Sequence, residues 1–249
     1  MNQNKYKRNF LSRVIFRIDF EQAQLSQIKS FTEKFKKEFS ISEEERGEEG
    51  IMKFDFATKE ITKQESSPIT SWNLFDKNRS KHIKIDTRFL YIEYFKYKKL
   101  TGLLKDLNLV SDFIQDFEIK TINRLGLRYV NEIKLKDKDF LDWKSHINNH
   151  LIGSFNFAIS QKKSVARAMG QIIFKEKNCN INFNFGTWNS NFPNEINEKT
   201  FILDYDCYSK FPLDVKSLNL LDTIKEYNKK IENLFESSIK KELRETLKT

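Results

Sequence analysis

Apolar positions along this chain fall into two alternating periods. From Arg13 to Phe20 the period is two, with Val14, Phe16, Ile18 and Phe20 on one side and Arg13, Arg17 and Asp19 on the other, as in a strand buried on one face. Leu25, Ile28, Phe31, Phe35 and Phe39 then recur at three- and four-residue spacing, which predicts an amphipathic helix. The acidic run from Ser40 to Gly50 is expected to be a solvated loop, followed by a short strand over residues 51–56 and a break at Ser66-Ser-Pro68. Asp76 to Ser80 has turn chemistry, Ile83 and Ile85 alternate with polar neighbours, and the aromatic run from Phe89 to Tyr97 suits a central strand. Leu103, Leu104, Leu107, Val110, Phe113, Ile114, Phe117 and Ile122 mark a long helix.

A second pass begins at Arg124 to Lys134, RLGLRYVNEIK. Leu127, Tyr129, Asn131 and Ile133 share one strand face and Arg128, Val130, Glu132 and Lys134 the other. Phe140, Trp143, Ile147 and Leu151 predict a helix over residues 139–152. Residues 165–174 and 180–185 form an expected hairpin, followed by a loop over 187–197, a strand over 201–208 and one long final helix through Leu218, Ile224, Ile231, Phe235, Ile239, Leu243 and Leu247. Short matches accompany this order. Leu90-Tyr-Ile-Glu-Tyr94 aligns with Phe201-Ile-Leu-Asp-Tyr205, Leu74-Phe-Asp-Lys-Asn78 with Ile173-Phe-Lys-Glu-Lys-Asn178, and Phe117-Glu118 with Phe235-Glu236.

The expected fold is therefore α+β: a tandem duplication of strand, helix, three strands and helix, divided into residues 1–123 and 124–249 but forming one continuous unit. Antiparallel sheet would carry long helices on one face. TATA-binding protein offers an analogy for such a duplicated saddle, at the level of fold alone.

Composition narrows the function classes. Twenty-three Phe and eight Tyr supply a substantial core, while seven Gly and three Pro favour long regular elements. The net charge of +9 attracts nucleic acid, an acidic protein or an anionic surface without choosing among them, and a Lys- and Asn-rich genome bias would produce the same excess. Cys179 and Cys207 have neither CxxC spacing nor a disulfide framework. A polar N-terminus and the lack of a long apolar run give the expectation of a cytoplasmic protein without a membrane span.

Candidate chemistry is sparse. No phosphate-binding loop, dinucleotide fingerprint or nucleophile elbow occurs, so no catalytic residue is assigned and no cofactor is expected. A polar, mostly basic sheet face is expected from Arg13, Arg17, Lys84, Lys96, Arg128, Lys134, Asn180, Asn182 and Asn184. Arg124, Arg128 and Asn131 flank Tyr129 and are candidates to converge on an anion; the competing reading has Gly126 turning the chain from helix to strand and Arg128 pairing with a carboxylate. The asparagines, with Trp188 and Phe192, have the amide and aromatic chemistry of single-strand RNA binders, although a solvated strand face predicts the same alternation. His146 and His150, four apart on the expected helix beside Asp142, are the metal candidates, with a metal-dependent hydrolase as the weakest reading.

The RLGLRYVNEI segment from Arg124 to Ile133 and the pattern Leu221-Asp-x-Ile-x-x-Tyr-Asn-x-x-Ile-x-x-Leu-Phe-Glu-Ser-Ser-Ile239 resemble a sporadically distributed prokaryotic family of unknown function. Its members share a G-L-R-Y-[IV]-N-x-I core and a terminal helix ending in F-E-x-[SA]-I. This chain departs from the family form in lacking a proline-rich N-terminal approach and in carrying Tyr227-Asn228 where members often have His. The resemblance implies a shared architecture and an accessory gene, such as one of a defence or toxin–antitoxin locus with a protein partner encoded nearby, and it supplies no catalytic residue. The leading expectation is a non-enzymatic binding or regulatory subunit, with nucleic-acid binding through the basic face as the alternative.

Overall fold

A computed structural model describes residues 6–21, 23–35, 39–54, 61–136 and 139–248. Its chain order is β1 (Leu11–Phe20), α1 (Leu25–Phe35), β2 (Ile41–Phe54), β3 (Ile61–Phe75), β4 (Lys81–Ile85), β5 (Phe89–Tyr94), α2 (Leu100–Asp116), β6 (Thr121–Leu135), α3 (Gly153–Ser160), β7 (Ala168–Lys175), β8 (Cys179–Thr187), β9 (Lys199–Ser209), β10 (Leu213–Asp214), α4 (Leu220–Ser238) and α5 (Lys241–Lys248). The fold is α+β, with one 10-stranded sheet ordered β2-β3-β4-β5-β1-β6-β9-β8-β7 and β10 paired to β6. Every pairing is antiparallel. No helix among the described residues is long and apolar enough to cross a membrane.

The period-two segments fold as their patterns require. In β1, Val14, Phe16, Ile18 and Phe20 face the helices, beside Leu125, Leu127 and Tyr129 of β6 and Leu203, Tyr205 and Cys207 of β9, and all are buried. The helices complete one continuous core against that face, through Phe31 of α1, Phe113 of α2, Phe155 of α3, Phe235 of α4 and Leu247 of α5. Buried phenols there have partners, while Asn131 Oδ1 and Trp143 Nε1 are buried without one among the described residues. Tyr129 donates to Asn228 Oδ1 at 2.7 Å and lies 3.0 Å from the Tyr97 hydroxyl, Tyr94 donates to Asp106 at 2.5 Å, and Tyr205 donates to Ser238 at 2.9 Å.

Several expectations are corrected. The acidic run is not a loop but most of β2, and Ser66-Ser-Pro68 does not break the chain but lies inside β3. Glutamates are tolerated in this strand because cationic and amide groups face them: Glu45 accepts from Lys84 at 2.7 Å and Asn73 at 3.1 Å, and Glu43 pairs with Arg79 at 3.1 Å. Pro68 is tolerated because β4 joins β3 only over Trp72–Phe75, so no third strand needs its missing amide hydrogen. Residues 55 and 56, the end of the expected short strand, lie outside the described residues. Ile122 belongs to β6 rather than to the preceding helix.

The expected helix over 139–152 is also absent, although Trp143 and Ile147 are fully buried as its spacing implied. Side chains compete there with helical hydrogen bonds: Asp139 Oδ1 accepts from the amides of Leu141 and Asp142, and Asp142 Oδ1 from that of Lys144. Ile147 instead bridges Ile239. The same bridge divides the expected final helix into α4 and α5, because Ile239 is extended (ψ 155°) and Lys240 donates to the His146 carbonyl at 2.8 Å.

The buried phenols make a pH prediction. Burial pushes Tyr97 up to about 12 and raises Tyr94, Tyr129, Tyr205 and Tyr227 further above the ordinary value of 10. A raised folded-state value gives stability that is fully present below pH 10 and is lost as pH climbs through the folded values. Unfolding free energies from urea titration should stay level up to about pH 9.5 and then fall, by up to about 1.4 kcal/mol per pH unit for each phenol held protonated by the fold.

Candidate functional site

Away from the helices the sheet presents an open face, and its middle is assembled from β1, β5, β6, β9 and β8. Strand alternation turns Arg13, Ile15, Arg17 and Asp19 of β1 toward it, with Tyr91 and Glu93 of β5 beside them in register. The motif strand β6 contributes Arg124, Gly126, Arg128, Val130 and Glu132, with Asp204 and Asp206 of β9 adjacent. Two depressions adjoin at Arg13, Ile15 and Arg128: one of about 760 Å³ that reaches Ile202, Met169 and Trp188, and one of about 580 Å³ that reaches Tyr91, Arg124 and Asp206.

Arginine and carboxylate alternate across this floor. Arg128 makes a bidentate pair with Asp204, Nε at 2.8 Å and a terminal nitrogen at 2.7 Å, and those hydrogen bonds raise its pKa. Arg124 reaches Asp206 at 2.8 Å while lying over the Tyr208 ring, with 5.0 Å from its Cζ to the centroid. Arg17 holds Asp19 at 2.6 Å and Arg13 lies 3.6 Å from Glu93. Lys84 pairs with Glu45 and Lys134 with Glu132. Burial raises the Asp206 carboxyl above its ordinary value although Arg124 and Arg128 both oppose the shift.

The expectation of a mostly basic face is therefore corrected. Arg13, Arg17, Lys84, Arg124, Arg128 and Lys134 each have a carboxylate partner. Sequence alternation identified the cations; Asp19 and Glu132 stand two residues from Arg17 and Lys134 on the same strands, but Glu93, Asp204, Asp206 and Glu45 come from β5, β9 and β2, whose register no local pattern reveals. Asn131 does not converge with Arg124 and Arg128. It points to the helix side, is 1% exposed and donates to the Leu203 carbonyl at 3.2 Å. Gly126 does not turn the chain, since it lies within β6; a Cβ there would come within 3.2 Å of the Arg124 guanidinium, so the missing side chain leaves room for Arg124 to cross toward Asp206.

Asn182 and Asn184 lie on the open face, and both accept from the Gln171 amide, at 2.9 and 3.0 Å. Asn180 pairs in register with Tyr208. Trp188 and Phe192, beyond β8, are about half exposed and enclose the Arg167 guanidinium at 4.6 and 4.2 Å. Sequence reasoning did not find Arg167, because its aromatic partners come from a loop across a hairpin. His146 and His150 do not share a helix. His146 lies 3.8 Å from Glu242 in α5, His150 is in a 3-10 turn, and among the described residues no group of three or more His, Cys, Asp or Glu is placed to hold a metal ion.

No protein-family model matches the chain, and no curated protein matches it significantly. What the face can do follows from its groups. Paired charges and the apolar positions Ile15, Val130 and Ile202 lie side by side on it.

Gly126→Ala separates site from fold. The nearest contact is the far end of a flexible side chain, so stability should stay within about 1 kcal/mol of the parent. Arg124, which lowers the Asp206 pKa, should be displaced, and carbonyl NMR titration should find the Asp206 midpoint higher still. Because the folded value is raised, the Asp206 contribution to stability is full below its ordinary value of 3.8 and is lost as pH rises through the folded value.

Proposed function

We propose that the protein is a non-enzymatic binding subunit whose open sheet face docks another protein. The observation that carries this reading is the self-neutralised floor: every arginine lining the two depressions is paired with a carboxylate. A phosphate backbone would have to displace those carboxylates, so the counterion-release gain that drives nucleic-acid binding is diminished. A protein surface instead meets what interfaces favour, namely arginines held in place, an apolar track through Ile15, Val130 and Ile202, and an exposed Trp188 at the rim. Nucleic-acid binding on the same face is the second reading, kept by the net charge of +9.

Tandem duplication is part of the proposal. Supporting it, β5 and β9, which carry the matched Leu90–Tyr94 and Phe201–Tyr205 segments, flank the adjacent strands β1 and β6, and the strands beyond them run outward in reverse chain order on both sides. The TATA-binding-protein analogy would follow from that symmetry and carries no function. The likeness of Arg124–Ile133 and the last long helix to a sporadically distributed prokaryotic family suggests the setting: a regulator or subunit in an accessory defence or toxin–antitoxin system.

A photo-crosslinking amino acid at Ile15 tests the docking face. In extract of the source cells it should yield one dominant protein adduct, reduced about tenfold or more by Arg128→Glu in the same chain. RNA or DNA adducts whose yield falls steeply with salt would select the second reading, and an absence of specific adducts would remove both.

A further inference from the structure

We propose that the free edge of β7 receives an acidic, extended segment of a partner protein as an additional strand. Strand β7 ends the sheet order and pairs only with β8. Among the described residues its outward amides and carbonyls have no further backbone partner. Sheet edges are ordinarily protected by proline, bulges, inward charges or a covering element. Strand β7, AMGQIIFK, has no proline and an unbroken register, and its one charged residue is Lys175 at the end. Met169, Ile172 and Ile173 are exposed on its two faces. The opposite edge differs: the exposed part of β2 carries Glu43, Glu44, Glu45 and Arg46.

Charge identifies the occupant. Arg167 immediately precedes β7, Lys175 ends it and Lys177 follows, and among the described residues no carboxylate pairs with any of the three. This contrasts with Arg13, Arg17, Lys84, Arg124, Arg128 and Lys134, each of which is paired. Glu176, the nearest acid, is engaged by Lys230. Arg167 is fixed between the Trp188 and Phe192 rings, so its planar donor fork is presented with little orientational freedom left to lose. Lys175 shares the open face with Met169, Gln171 and Ile173, through its register with Asn180. The fitting segment therefore alternates, with carboxylates toward Arg167 and Lys175 and apolar side chains toward Ile172. A second copy's β2 fits less well, since Glu43, Glu44 and Glu45 are paired with Arg79, Arg46 and Lys84.

The inference rests on the binding-subunit reading and shares Met169 and Trp188 with its rim, but Arg167 and Lys175 line neither depression, so the two can fail separately. The probe is a fluorescein-labelled peptide of roughly ten residues alternating valine and glutamate, a typical strand length or slightly more, with its anisotropy titrated at low salt. It should bind, with at least about tenfold loss for a valine–lysine peptide and for the double variant Arg167→Glu, Lys175→Glu. Methylation of alternate peptide amides should abolish binding in one of the two phases, because only one set of amides faces the edge. Arg128→Glu should leave this affinity unchanged, so peptide binding without a crosslink at Ile15 would reject the docking face alone. No binding, equal binding of the lysine peptide, or indifference to methylation in both phases would overturn the proposal. So would sedimentation showing a dimer or filament dispersed by Ile173→Lys, which would place a second copy on the edge.

Discussion

Everything else in this molecule depends on the pairing of β1 with β6. The two strands lie more than a hundred residues apart, at Leu11–Phe20 and Thr121–Leu135, and their register sets Val14 opposite Tyr129 and Phe16 opposite Leu127. Side chains alternate, so a slip of one residue would exchange the core and open faces of every strand built outward from this pair. Such a non-local contact repays its loop-closure cost only after much chain has been ordered. Burial of large apolar side chains on the helix side supplies that return: Phe16, Ile18, Leu125 and Leu127 are fully enclosed.

The two faces then obey different electrostatic rules. On the helix side, polar groups are mainly neutral and satisfied, as in the chain from Tyr97 through Tyr129 to Asn228. Burial there holds the phenols protonated, so their hydrogen bonds survive across ordinary pH. On the open side, ionised groups are kept in pairs within reach of water. An exposed pair contributes only about 0–1 kcal/mol. Asp206 is less comfortable still, since burial opposes its ionisation even with Arg124 and Arg128 beside it. Its carboxylate is therefore kept at some expense to the fold, already oriented by Arg124 and partly stripped of water.

Legibility from sequence followed burial. Strands β1, β6 and β9 were readable because one side of each is dry and the other is not, so Val14, Leu127 and Tyr205 announce their period. Strand β2 was not readable, since the exposed part of a two-stranded ribbon has no dry side to impose alternation, and glutamates there are held by Lys84 and Arg79 from elsewhere. Between Asp139 and Leu151, Trp143 and Ile147 do enter the core, but turn hydrogen bonds and the bridge to Ile239 place them without a helix. At the candidate site, Arg13, Arg17, Arg124 and Arg128 were legible as strand-face residues. The neutralisation of Arg13, Arg124 and Arg128 by Glu93, Asp206 and Asp204 was not, because it depends on which strands become neighbours.

The RLGLRYV segment combines these constraints in one strand. Its odd positions, Leu125, Leu127 and Tyr129, anchor the sheet to the helices, while its even positions, Arg124, Gly126 and Arg128, build the open face. Neither set explains the segment alone. Apolar alternation would accept an alanine at Gly126 as readily as glycine, yet only the vacant side-chain position lets Arg124 lie across the strand toward Asp206. The glycine is thus part of the open face rather than of turn chemistry, and the two faces can be perturbed independently by moving one residue along β6.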